Sequence, residues 1–280
     1  MRKWRRWRSL RLLAGAAVIV AAVSIAVLAP LIAPYGPLDQ APELNNRPPL
    51  SRDDSGALHV LGTDPLGRDL LSRTMYGARV SLLIGATAVV LAGSIGVVLG
   101  LLAGYIGGAV EVLIMRLVDT LLAIPFVLLA IVSVALFGQG LVGLILILGL
   151  TGWLGYARIV RGVVLSLKEM PYVEAARAVG AGPPRLLRRH VLPGVWTPVI
   201  VVATQQVGAM MIAESSLTFL GIGIPPTIPS WGAMIADGRA YMTLAPGVAI
   251  FPGLALTITV LAVYFFGDGL RDVLDPRLRL

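Results

Sequence analysis

Six stretches of nearly continuous apolar residues, each about the length of a bilayer crossing, alternate along this chain with shorter polar segments. The first, 12–33, runs 22 residues without a formal charge. As a helix it would reach about 33 Å, against a hydrocarbon core of about 30 Å. The others run over 80–103, 117–137, 141–157, 198–220 and 248–266. Backbone groups in lipid must be satisfied within the segment, so the pattern predicts an all-α polytopic membrane protein with six transmembrane helices. Arg2, Lys3, Arg5, Arg6, Arg8 and Arg11 would suit a signal peptide, but the apolar part is longer than a signal core, so a retained anchor is expected.

The polar intervals set the organisation. A basic cytoplasmic segment, 1–11, precedes the first span; 34–79 is an external loop whose last part, 68–79, is a helix-like lead-in. Residues 80–267 hold a five-helix core with a cytoplasmic loop at 158–197, and 268–280 is a cytoplasmic tail. With both termini inside, 17 of the 23 basic residues fall on the inner side, as the positive-inside rule requires. Gly96, Gly100 and Gly104 stack small residues on one face of the second span, a device for close helix packing within one bundle.

The loop at 158–197 is too polar to cross lipid. Pro171 suits a helix start, Glu174 favours the positive helix end, and Gly180 is a stop, which predicts a short helix over 171–179. Gly182-Pro183-Pro184 should turn, and a second helix over 185–191 should end near Leu192-Pro193. Glu174 offers an acceptor, Ala175 and Ala176 keep no partner surface away, and Gly180 permits an unusual backbone angle. These features suit insertion into a cleft of another protein.

Composition narrows the chemistry. Of 280 residues 57% are hydrophobic and 14% charged, mean hydropathy is +0.85, and the net charge of +8 follows topology, which gives no nucleic-acid face. Cysteine is absent and only His59 and His190 carry imidazole, so no metal site or catalytic residue is expected. His59 is expected to be solvated. Gly138, Gly140 and Gly143 satisfy a dinucleotide pattern but lack its strand and helix context. No Walker A sequence is present, so the chain holds no nucleotide through that motif.

Polar groups inside the spans are functional candidates because their desolvation is costly. Asp119 should pair with Arg116 or meet solvent. Gln206, Met210 and Glu214 share one broad face of the fifth span, and with Gln205 and Ser216 they are candidates for a translocation pathway or a partner contact.

The sequence Glu174-Ala175-Ala176, with Gly180 and Leu192-Pro193 at fixed spacing, resembles the EAA motif of permeases of ATP-binding-cassette importers. GTDPLGRDLLSR at 62–73, SLTFLGIGIPPTIPSWGAMIADG at 216–238 and GDGLRDVLDPRLR at 267–279 extend the likeness to the dipeptide/oligopeptide/nickel branch, C-type subunit. His190 matches the form usual there, whereas Gly194 departs from the usual Asn. The resemblance implies a type I (MetI-like) importer bundle in a bacterial plasma membrane. It implies as partners a second homologous permease in a heterodimer, two ATPase subunits that bind ATP and Mg, and an external solute-binding protein. Glu174, Ala175, Ala176, Gly180, Leu192 and Pro193 would couple to the ATPases. Short peptides are the expected cargo, with nickel or glutathione as alternatives on the same scaffold; from other classes, an ATPase-independent channel or carrier, or a membrane enzyme, remain to be weighed.

Overall fold

The computed structural model describes residues 2–274; Met1 and 275–280, including two arginines of the expected basic tail, lie outside the described residues, as do the side chains of 2–9. Helix α1 (Arg2–Ile32) leads into an irregular loop that carries a small antiparallel ribbon, β1 (Ser51–Arg52) with β2 (Leu58–His59). Helix α2 (Leu70–Ile106) starts where the Asp69 carboxylate accepts the Ser72 N–H at 2.7 Å, satisfying one of the first-turn donors that a helix leaves unpaired. Then follow α3 (Gly108–Ala123), α4 (Phe126–Phe137) and α5 (Leu141–Lys168). The chain continues through α6 (Pro171–Ala178), α7 (Pro183–Leu186), α8 (Leu192–Phe219), α9 (Trp231–Gly238) and α10 (Gly247–Leu274).

Among the described residues five helices are long and apolar enough to span a bilayer, and α3 and α4, which meet at a bend of 96°, make a sixth when counted as one broken span. The expected straight span over 117–137 is therefore broken. Pro125 has no N–H and holds φ near −54°, and Ile124 before it is extended, so the ladder cannot run through. Helix α5 outruns its expected end by eleven residues, to Lys168, because its polar residues find partners. Arg161 pairs with Glu111 of α3, and Lys168 Nζ reaches the Gly104 carbonyl at 3.4 Å.

The helix expected to stop at Leu192-Pro193 does not stop. A π-turn over Leu187–Val191 joins α7 to α8, giving one rod over Pro183–Phe219. Pro193 cannot donate the usual bond to the fourth residue back, and the preceding turn widens, with the Leu192 N–H bonding the Leu187 carbonyl.

The main packing seam joins α2 to α5. A Cβ on Gly96 would lie 2.4 Å from Tyr156 Cβ, one on Gly100 2.7 Å from the Ala157 carbonyl oxygen, and one on Gly104 2.8 Å from Val164 Cβ. The glycine row thus serves packing inside this chain. Helix α8 lies between this pair and α10, and α1 crosses α10 and α2. The ends of α2 and α5, with α6 and α7, form one pole of the bundle; the loop 33–69 and α9 form the other, where Trp231 Nε1 bonds the Thr74 carbonyl at 2.9 Å.

Candidate functional site

At the first pole, Pro171 fills the first turn of α6, and Gly180 ends it at φ +87°. The Gly180 N–H bonds the Arg177 carbonyl and the Ala181 N–H the Ala176 carbonyl, each at 3.0 Å, the paired arrangement that closes a helix on a left-handed residue. Val173 is the one residue of α6 that is buried, so it fixes the helix to the bundle. Glu174 and Ala175 face outward, Ala176 is half-buried, and Val179 is 85% exposed. A short helix with one apolar anchor therefore presents a small-residue face beyond the bundle.

The attachments on either side are firm. Tyr105 of α2 donates to the Pro183 carbonyl at 2.9 Å, and Tyr172 Oη lies 3.4 Å from the His190 carbonyl. Leu192 is half-buried and Pro193 exposed at the start of α8, so they do not lie on α6 but in the rod that follows it. Helix α6 thus joins α5 on one side and, on the other, the rod that begins with α7.

The intramembrane candidates separate. Gln206 donates to the Gly152 carbonyl at 3.3 Å, and Met210 also packs against Gly152, both on the face toward α5. Glu214 is wholly buried, accepting hydrogen bonds from Ser215 (3.2 Å), Thr218 (3.2 Å) and Ser230 (3.0 Å). Gln205 turns away and donates to Asp268 of α10 at 2.9 Å. Ser216 is exposed and borders an open groove of about 400 Å³ with Phe219, Ile235 and Leu256. Asp119 is exposed, one of the two expected outcomes, and pairs with Arg158 of α5 at 2.7 Å rather than with Arg116.

The other pole holds a buried ionic cluster that sequence inspection passes over. Asp64 receives Arg68 Nε at 2.6 Å and also Arg73, while both arginines approach Asp237 of α9 at 3.7 Å. Burial raises the pKa of Asp237 above the ordinary carboxylate value, against the opposing pull of Arg73 and Arg68. His59, expected in solvent, is buried: its ring stacks on Tyr35 and its Nδ1 lies 2.9 Å from Asp69. Burial and the Asp53 and Asp69 carboxylates push the Tyr35 phenol up. The available signal was Asp64 and Arg68 at four-residue spacing, with Asp237 in the other motif of the same pole.

The family model described as binding-protein-dependent transport system inner membrane component matches residues 96–280, and that described as the N-terminal TM domain of oligopeptide transport permease C matches 2–49. The chain is similar to the glutathione transport system permease protein GsiD of Pectobacterium atrosepticum, 42% identical over 277 residues covering 99% of this chain and 90% of that one. The protein of the same name from Escherichia coli is 43% identical over 279 residues, with 99% and 90% covered. The di/tripeptide transport system permease protein DppC of Pseudomonas aeruginosa is 42% identical over 267 residues, with 95% and 88% covered.

Proposed function

Because the chain belongs to the family of binding-protein-dependent transport system inner membrane components, we propose that it is one permease half of an ATP-driven importer of short peptides. The observation that carries this is the exposed helix α6, closed by Gly180 and wired through covalent turns to both α5 and α8. Two partner ATPases bind ATP and Mg, and one of them docks on Glu174, Ala175 and Ala176. A second, homologous permease completes the pathway, and an external solute-binding protein delivers cargo to the pole that carries the 33–69 loop and α9. Both termini and α6 lie on the cytoplasmic side of a bacterial inner membrane.

The chain is not itself the catalyst of ATP hydrolysis, and its role is conformational. To shift two permease states from 1:99 to 99:1, the ATPases must bind one state about 5.5 kcal/mol more tightly than the other. That difference has to pass through α6, which makes a rigid terminus more useful than a flexible loop.

Glutathione as cargo has specific support in the names of the GsiD relatives. The test is reconstitution of the purified complex with its ATPases and binding protein, followed by ATP-dependent uptake of a labelled dipeptide with glutathione as competitor. Uptake by this chain alone without ATPases would overturn the importer reading, and ATP-dependent uptake of labelled glutathione with none of the dipeptide would reassign the cargo.

A further inference from the structure

The three glycines that face α5 leave the other side of α2 uncovered near its end. Val98, Leu101, Leu102, Tyr105 and Ile106 lie at i, i+3, i+4, i+7 and i+8 on that face. Val98, Leu102 and Ile106 are 56, 40 and 60% exposed. Pro183, Pro184 and Leu187 form the opposite wall, making an apolar groove of about 410 Å³ bridged by the Tyr105 to Pro183 hydrogen bond. Next to it, sharing Pro184, lies a depression lined by Arg185, Arg188 and Arg189. Among the described residues, none of these arginines has an acidic partner within ion-pair distance.

We infer that the α2–α7 groove and the three arginines beside it form one binding site for an anionic phospholipid, its acyl chain along Val98, Leu102 and Ile106 and its phosphate on the guanidinium groups. The apolar wall is the end of α2, a candidate membrane span, which favours an occupant from the bilayer over a soluble subunit docking on α6. The guanidiniums lie where that wall gives way to the polar segment, at headgroup depth, and offer paired donors that match phosphate oxygens. Basic pockets at this depth between helices select anionic headgroups. In a zwitterionic lipid the headgroup cation offsets the same phosphate, so the arginines supply the discrimination and the groove supplies the affinity. The lipid braces residues 183–187 against α2, immediately after the coupling helix. This site requires only that the helices sit in a bilayer, and it stands or falls separately from the identity of the cargo or the ATPases.

The test is native mass spectrometry of the full chain, purified with whatever partners accompany it, after exposure to equal amounts of dioleoyl-phosphatidylglycerol and dioleoyl-phosphatidylcholine. The expected result is retention of phosphatidylglycerol on the order of tenfold above phosphatidylcholine, given the attraction of each basic residue to an anionic headgroup. The triple substitution Arg185→Gln, Arg188→Gln and Arg189→Gln should erase the preference, while the corresponding triple change to Lys, which keeps the charge, should retain most of it. Leu102→Trp, which fills the groove, should lower retention of both lipids together. Equal retention by the native chain overturns the site, as does an undiminished preference in the Gln variant. A Gln variant that keeps the lipid preference but sheds its ATPase partners overturns it too, and assigns the arginines to a protein contact.

Discussion

Glu214 of α8 accepts a hydrogen bond from Ser230 Oγ at 3.0 Å, and the same Ser230 oxygen accepts the Ala233 N–H that begins α9. Glu214, one of the pathway candidates, thereby also fastens a short helix at the opposite pole from α6. Ser81 of α2 completes the fastening by accepting the Trp231 N–H at 3.1 Å. Two elements, α8 and α2, converge on the start of α9 through side-chain oxygens.

Ser230→Ala removes both a helix cap and a partner of a buried carboxylate, and should cost about 1–3 kcal/mol of stability. Glu214→Ala should cost a similar amount by leaving the Ser230, Thr218 and Ser215 hydroxyls short of an acceptor. Because the two share one bond, the double variant should lose less than the sum of the single ones, measured by thermal unfolding in detergent. Additive losses would mean that the bond contributes nothing.

At Gly180 a Cβ would meet nothing within 4 Å, so a substitution there acts through the backbone angle of φ +87° alone. Asn, which tolerates that region, should impair coupling least, Ala more and Val most, with the strain of a β-branched residue on the order of 1 kcal/mol or more. The measurement is transport per ATP hydrolysed in the reconstituted complex. A flat series would detach α6 geometry from coupling.

Replacing Gly100 by Leu drives a side chain into the α2–α5 seam, where even a Cβ lies 2.7 Å from the Ala157 carbonyl. A destabilisation of about 1–3 kcal/mol is expected. The same change at Gly155, whose Cβ position is open, should be near neutral in the same unfolding experiment.

Asp237 gives a pH signature. Its pKa is raised above 3.8 in the folded protein by burial, so its contribution to stability is full below that unfolded value and is lost as pH rises through the folded one. Asp237→Asn lacks this titration. The melting temperature of the Asn variant minus that of the native chain should therefore grow as pH rises from about 4 through the raised value. A difference that shrinks over that range would place the stabilising charge on the carboxylate.

The apolar spans and the coupling helix were legible because their signals are local: unbroken hydrophobicity for the former, Pro171 and Gly180 as start and stop for the latter. The broken third span was hidden, since Pro125 sits between the unbroken apolar runs 121–124 and 126–132 and backbone geometry turns the chain there. The extended end of α5 was hidden for the opposite reason. Arg161 and Lys168 read as loop residues until Glu111 and the Gly104 carbonyl, far away in sequence, supply their partners. His59 and Arg73 likewise owe their burial to Asp69 and Asp64, and pairing of that kind leaves no trace in the composition of a segment.

The rod that runs from Pro183 through the π-turn to Phe219 has 37 residues and so measures about 55 Å. Its near end abuts the segment that follows α6, and its far end carries Glu214 and the fastening of α9. A tilt of only about 5° about the near end swings the far end sideways by about 5 Å, roughly one helix pitch. For such a swing to occur, the Glu214–Ser230 bond that fastens α9 would have to move with the rod or break, so the mouth that carries α9 is where a small displacement beside α6 would register.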